Sequence, residues 1–269
     1  MELQEERERE AWARSLGSWL LALGGFTVGG AIWLDVTGGS HREVSAVVLL
    51  IAYTPTLAAI IALTVGGSGI HVLLDQLRRW KVPVRWYAVA LVGPLVIALV
   101  ATLSVAVVDS APVATIPERW VEAPALATLA ALLGPMIAGA VGEEPGWRGF
   151  AQPVLQRRAS ALVAAVVVGV IWSLWHLWPA LTTLGRAELS AADVVQTFVR
   201  LVPTAVIYAW LHASTARSLP VVLVAHAAHN LWIGLLPVAV IGTDTGSWAV
   251  AVLYALCGLA ASAALIRSA

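Results

Sequence analysis

A run near the middle of the chain, from Gly142 to Phe150, holds charges that a membrane-spanning helix rarely carries. Two adjacent carboxylates, Glu143 and Glu144, are followed by Arg148. Glu144 and Arg148 are spaced i, i+4 with the acid first, which is the favourable order for an ion pair on a helix. Such a pair would neutralise Glu144 and leave Glu143 available as a general base in an apolar site.

Two further segments place histidines in apolar surroundings. Trp172 and His176 are one helical turn apart, and so are His226 and Asn230, with His229 beside them. Polar side chains inside apolar spans are costly and usually mark a function. Two imidazoles and an amide on one turn are hard to explain as packing in lipid. We therefore expect a helical bundle to bring these groups together with the carboxylates.

Composition indicates that the elements carrying these residues lie in a membrane. The chain is 59% hydrophobic and 12% charged, whereas a soluble domain carries roughly 25% charged residues. Its formal net charge of zero gives no electrostatic reason to expect a nucleic-acid partner. Membrane lipid is the expected surroundings, and the oligomeric state is not visible in the sequence.

Apolar runs long enough to cross a bilayer, which takes about 20 residues, recur along the chain. They predict an all-α, polytopic membrane bundle of about eight transmembrane helices, with the site among the fourth, fifth and seventh. The predicted spans are 16–36, 44–65, 86–108, 124–152, 161–179, 194–213, 219–238 and 247–267.

The charges between the spans predict the orientation. Residues 1–15 form a charged tail, 16–267 form a single transmembrane domain, and 120–236 are its motif-bearing core. One set of connections holds most of the basic residues: Arg7, Arg9, Arg14, Arg78, Arg79, Lys81, Arg85, Arg157, Arg158, Arg217 and Arg267. The other side has Arg42, Arg119 and Arg186. Because cytoplasmic loops are enriched in Lys and Arg, both termini are predicted to be cytoplasmic.

The three motifs in order resemble the signature of the CAAX protease and bacteriocin-processing (CPBP, or Abi) family, whose eukaryotic relative is the Ras-converting CAAX endopeptidase. The matching residues are Glu143-Glu144 with Arg148, then Trp172 with His176, then His226 with Asn230. The resemblance covers about 120–236. Trp172 stands where the family often has Phe, and His229 is an additional histidine beside the pattern.

The resemblance implies a membrane-embedded, glutamate-dependent endopeptidase that hydrolyses a peptide bond of a membrane-associated or prenylated substrate. Glu143 would activate water, helped by His176, while His226 and Asn230 would hold the water or stabilise the oxyanion. Glu144, Arg148, Trp172 and His229 would support the site. No cofactor is required by this reading, although Glu143, His176 and His226 are the set that could hold zinc if a metal is present.

Two other functions remain open at this point. The same cavity could belong to a non-proteolytic family member that acts as a binding or immunity protein. Alternatively, the buried acid and histidines could act on an isoprenoid or another lipid. Both alternatives use the same residues and differ from the protease in what enters the site, which the sequence does not show.

Overall fold

The computed structural model describes residues 2–38, 41–109, 125–235 and 244–267, and these carry helices without any strand. The predicted all-α polytopic bundle is therefore confirmed. The helices are α1 (Glu2–Thr37), α2 (His41–Ala52), α3 (Thr54–Val65), α4 (His71–Leu77), α5 (Val84–Val108), α6 (Ala125–Gly146), α7 (Gln152–Leu155), α8 (Ala161–His176), α9 (Thr183–Glu188), α10 (Ala191–Ser214), α11 (Leu219–Leu235) and α12 (Asp244–Arg267). A π-helical turn (Trp147–Ala151) joins α6 to α7, and a 3₁₀ turn (Trp178–Leu181) follows α8.

All eight predicted spans coincide with helices, but the helices differ in length. Within the described residues, four helices are long and apolar enough to cross a membrane: Trp12–Thr37, Val84–Val108, Ala191–Ser214 and Thr245–Arg267. The predicted span 44–65 is a pair bent by 46°, because Pro55 starts a new helix there. The fifth and seventh spans are the shorter apolar helices Ala161–His176 and Leu219–Ile233. These helices identify an integral membrane protein.

Some of the predicted boundaries fall outside the described residues. These are Arg119, the first residues of the motif-bearing core and of the fourth span (120–124), and the end of the seventh span (236–238). The predicted charged tail is helical from Glu2 onwards and forms the first part of α1.

The bundle places the motif-bearing helices at its centre. Helix α10 packs against α8 and α12, and α11 packs against α5 and α6. Helix α3 fills the space between α1 and α6. The main core cluster is rich in alanine and tryptophan, with Trp19, Trp147 and Trp172 almost fully buried. As a result, α6, α8 and α11 face one another across a shared interior.

Two prolines explain the irregular segment after the carboxylates. Pro145 cannot donate a backbone hydrogen bond, and the helix passes into the π-helical turn two residues later. Pro153 likewise leaves the carbonyl of Gly149 without its helical donor. That carbonyl accepts a hydrogen bond from Nε2 of Gln76 at 2.9 Å, and Oε1 of Gln76 lies 3.0 Å from Nε2 of His212. Helix α4 is thereby attached to the segment that carries Arg148.

Close approach of α6 to the α2–α3 bend depends on two glycines. A methyl group at Gly142 would lie 2.6 Å from the carbonyl oxygen of Ala52, and one at Gly146 would overlap the backbone of Pro55. The same Pro55 carbonyl accepts a hydrogen bond from the Trp19 indole at 3.2 Å. Small residues at these positions let the backbones touch, which fixes the position of the carboxylates between them.

We expect Gly146→Ala to destabilise the protein by about 1–3 kcal/mol, because the added methyl group forces two backbones apart. Gly134→Ala is the matched control on the same helix, since a methyl group there meets no other atom. Thermal unfolding in detergent measures both. Equal melting temperatures for the two variants would show that α6 and α3 are not packed this closely.

Candidate active site

A buried charge network lies at the centre of the site. Glu144 and Arg148, both 0% exposed, form an ion pair at 3.3 Å. The second partner of Glu144 comes from another helix, because its Oε1 lies 2.7 Å from Nδ1 of His226. A carboxylate that also pairs with Arg148 accepts this bond, so Nδ1 carries the proton and Nε2 points away as the acceptor. Glu144 therefore fixes the orientation of His226.

Aromatic rings complete the surroundings of the arginine. Nε and Nη2 of Arg148 have no hydrogen-bond partner among the described residues. Its guanidinium instead lies over the rings of Trp172 and Tyr208, at 4.8 and 5.1 Å from their centroids. The negative faces of these rings attract a cation in place of water. Tyr208 and Trp172 also pack against the ring of His226, at 5.8 and 5.5 Å.

Glu143 has a different environment from its neighbour. It is 6% exposed, and its Oε2 accepts a hydrogen bond of 2.7 Å from the indole nitrogen of Trp172. Its Oε1 faces Nε2 of His226 at 4.0 Å. No arginine or lysine pairs with Glu143 among the residues that the structure describes. One oxygen is thus fixed by Trp172, and the other remains directed at the imidazole.

His176 and Asn230 lie at the half-buried edge of this centre. Nδ1 of His176 lies 3.0 Å from the carbonyl oxygen of Trp172, so it donates that bond and leaves Nε2 available. Distances measured from Gly139 on α6 show where the Asn230 side chain lies relative to Glu143. A methyl group at Gly139 would lie 3.8 Å from Nδ2 of Asn230 and 4.0 Å from Oε1 of Glu143. The amide of Asn230 and Oε1 of Glu143 therefore both lie beside Gly139.

His229 belongs to a neighbouring arrangement. Its Nδ1 forms a short hydrogen bond with the hydroxyl of Tyr254 on α12, and the two rings lie 4.9 Å apart. The predicted site residues therefore divide into two groups. Glu143, Glu144, Arg148, Trp172 and His226 form one connected network with His176 and Asn230 at its edge, whereas His229 connects the bundle to α12.

An apolar cavity of about 700 Å³ lies beside the network, between α5, α10, α11 and α12. Tyr208 and Tyr254 border it, so the same two rings that pack against His226 and His229 also face the cavity. The rest of its wall is almost entirely small or aliphatic, including Val89, Gly93, Ile97, Ala225 and Ala260.

Glu143, His176 and His226 are the set predicted to hold zinc if a metal is present, and each of the two imidazoles keeps its Nε2 available as a ligand. Nδ1 of His226 is occupied by Glu144, and Nδ1 of His176 by a backbone carbonyl. Within the described residues, no group of three or more His, Cys, Asp and Glu side chains could hold a metal ion. The chemistry considered below uses only the side chains of the chain.

Three contacts were not foreseen from the sequence. Trp172 was expected only as the aromatic member of its motif, and its indole N–H proves to be the donor to Glu143. An indole N–H in an apolar span needs a partner, which was the available signal. Tyr208 and Tyr254 were missed altogether, because a tyrosine in an apolar run gives no indication of which helix its hydroxyl or ring will meet.

Comparison with known proteins confirms the family resemblance. Residues 125–232 match the family model described as type II CAAX prenyl endopeptidase Rce1-like, and this range contains all three motifs. A curated relative from Methanococcus maripaludis, named CAAX prenyl protease 2, is 28% identical over 101 residues. The aligned part is 36% of this chain and 37% of that relative, so the chain spans little more than a third of the relative's length.

We expect Arg148→Met to lower the stability by about 3–5 kcal/mol, because it strands Glu144 as an uncompensated buried charge. Thermal unfolding in detergent measures the loss, and Arg157→Met, at an exposed loop position, is the control. The double variant Glu144→Gln/Arg148→Met should recover part of the loss, since it leaves no unpaired charge. A double variant no more stable than Arg148→Met would argue against the buried pair.

Proposed function

We propose that this chain, whose residues 125–232 match the Rce1-like family, is an intramembrane endopeptidase that uses water activated by Glu143. Its substrate would be a membrane-associated peptide carrying a hydrocarbon chain, such as a prenylated C-terminus. The two comparisons support a CAAX protease, and the assignment of roles to residues rests on the geometry of the site.

The observation that carries the proposal is the contrast between two adjacent carboxylates. Glu144 is neutralised by Arg148 and orients His226. Glu143 has no arginine or lysine partner in the part of the chain that the structure describes, and its Oε1 is directed at the imidazole. When two neighbouring carboxyl groups have environments as different as these, one commonly has a structural role and the other acts as the catalytic base. A purely structural pair would have no reason to leave one member without a counter-ion in an apolar bundle.

The gap between Glu143 and His226 suits a nucleophilic water. Oε1 and Nε2 are 4.0 Å apart, and one water can lie about 2.8 Å from both atoms. In the proposed reaction this water gives a proton to Oε1 of Glu143 while its oxygen attacks the carbonyl carbon of the peptide bond. Nε2 of His226 accepts a hydrogen bond from the second O–H of this water and so fixes the direction of attack.

The remaining polar groups support the later part of the reaction. The amide Nδ2 of Asn230 donates to the carbonyl oxygen as it becomes an oxyanion. When the C–N bond breaks, the proton held by Glu143 passes to the leaving nitrogen, with His176 assisting from the half-buried edge. Trp172 keeps its hydrogen bond to Oε2 throughout, which holds the carboxylate in position. His229 has no direct part in these steps.

The cavity beside the site supports a substrate with a hydrocarbon chain. Its volume of about 700 Å³ falls in the usual range for small-ligand pockets, roughly 300–1,000 Å³. Because Tyr208 contacts both the cavity and His226, a chain bound there would present its attached peptide close to Glu143. An enzyme acting on a lipid would use the same cavity, and a binding or immunity protein would use it without hydrolysis.

We also propose that both termini are cytoplasmic, as the distribution of Lys and Arg predicts. The zinc site remains a prediction that the chelator measurement below tests.

We expect Glu143→Gln to abolish hydrolysis without altering the melting temperature, because it removes the base and keeps the side-chain shape. The assay uses purified protein in detergent and an S-farnesyl-cysteine peptide with three further residues, with products identified by mass spectrometry. Gln156→Glu is the control. Gln156 is half-buried and follows α7, so exchanging the same two side chains there should leave cleavage unchanged. Retention of cleavage by Glu143→Gln would refute the proposed base.

The same assay separates the alternatives. Unchanged cleavage after treatment with a chelator is expected, and loss of activity that zinc restores would show that a metal is required. Absence of peptide cleavage by the folded wild-type protein would favour the binding protein. Conversion of a farnesyl lipid in place of the peptide would favour the lipid enzyme.

We expect Gly93→Leu to raise the KM for the farnesylated peptide several-fold, because the new side chain enters the cavity. A side chain at Gly93 meets no atom nearby, so the melting temperature should change little. Gly25→Leu on α1 is the matched control, since it also meets no atom and lies away from the cavity. An unchanged KM in Gly93→Leu would place the hydrocarbon chain elsewhere.

A further inference from the structure

Arg200 on α10 is a cation near the site that has no counter-ion among the described residues. Arg200 as a whole is half-buried. Its Nε atom is fully buried and has no hydrogen-bond partner among the described residues. Among the described residues, no carboxylate forms an ion pair with it. Its guanidinium lies within electrostatic range of His176 and His229 and of the two tyrosines that border the cavity. The mechanism described above gives Arg200 no role.

Helix packing fixes the height of Arg200 in the bundle. Helices α8 and α10 run antiparallel, because Ala165 clusters with Ala209 while Gly169, one turn later, approaches Val202. A methyl group at Gly169 would lie 2.8 Å from Cα of Val202. Continuing this register by one more turn brings Arg200 level with about residue 173. Arg200 is therefore close to the edge where His176 is half-buried.

An unpaired cation at this depth favours an anionic ligand. A charge inside an apolar bundle costs several kcal/mol unless it is paired or hydrogen-bonded, and the described part of the chain provides no carboxylate for Arg200. Its neighbours are two imidazoles and two phenols, which can stay neutral and do not cancel its charge. Guanidinium groups bind carboxylates through two parallel hydrogen bonds, so a free carboxylate is the ligand that fits best.

The spacing between Arg200 and the proposed reacting groups fits a short peptide. Arg200 and Tyr208 are eight residues apart on α10, a rise of about 12 Å along the helix axis. Tyr208 contacts His226 through its ring, so this stretch of α10 runs between the proposed reacting groups and Arg200. An extended peptide spans at most ~3.3–3.6 Å per residue, so a segment of a few residues covers a distance of this order.

We infer that Arg200 binds the free C-terminal carboxylate of the substrate and thereby selects peptides that end a few residues after the scissile bond. This inference rests on the proposed function. The acidic end would occupy Arg200 while the hydrocarbon chain occupies the cavity, with the peptide bond between them at Glu143. Arg200 is then a specificity residue that touches the leaving peptide and takes no part in the proton transfers.

The test compares the farnesylated peptide with a free carboxylate and the same peptide with a C-terminal amide, using wild type, Arg200→Gln and Arg200→Lys. We expect amidation to lower kcat/KM by about 10- to 100-fold in wild type, the value of a charge-assisted hydrogen bond. Arg200→Gln should cleave both peptides at the slow rate. Arg200→Lys should keep part of the preference, because it retains the charge and loses the paired geometry.

Arg157→Gln, which removes an exposed loop cation, is the matched control and should keep the full preference. Melting temperatures show whether each variant is folded. Equal cleavage of acid and amide peptides by wild type would overturn the inference while leaving the protease intact. So would a preference that persists unchanged in Arg200→Gln.

A binding measurement tests the carboxylate site even if no peptide is cleaved. Fluorescence anisotropy in the same detergent compares the binding of the two peptides to wild type and to Arg200→Gln. If no peptide is hydrolysed but wild type binds the acid at least tenfold more tightly than the amide and Arg200→Gln does not, the proposed protease fails and the carboxylate site stands. Equal binding of acid and amide by wild type overturns the carboxylate site.

Discussion

Compensation of buried charge is the constraint on which the site depends. Glu144 and Arg148 are fully buried in an apolar bundle, where either charge alone would be costly. The pair is local to one helix, yet it is completed by His226 from α11 and by the rings of Trp172 and Tyr208. Satisfying one ion pair therefore requires three other helix segments to take fixed positions around α6.

That requirement also explains the tight packing around the pair. Gly142 and Gly146 bring α6 into backbone contact with the α2–α3 bend next to the carboxylates. The π-helical turn follows at once and is tied to α4 through Gln76. Rigid backbone on both sides of the carboxylates fits a site whose groups must be held in place before a substrate arrives.

Around this fixed centre the bundle offers two different surfaces to a substrate. Tyr208 and Tyr254 separate the polar network from a large apolar cavity, while Arg200 lies at the half-buried edge near His176. A molecule with a hydrocarbon chain and an anionic end would contact both surfaces while its middle passes Glu143. The arrangement thus connects the proposed chemistry to one class of amphiphilic substrate.

Local properties of the sequence determined the membrane location, the all-α class, the positions of the helical spans and the Glu144–Arg148 pair, because hydropathy and i, i+4 spacing act within one helix. Tertiary structure alone decided that Trp172 donates to Glu143, that His226 binds Glu144, and that His229 turns towards Tyr254. It also split the second predicted span at Pro55 and left Arg200 without a carboxylate among the described residues. These features depend on the rotation and depth of each helix relative to its neighbours. Packing across the bundle sets both quantities, and the residues of a single span do not contain them.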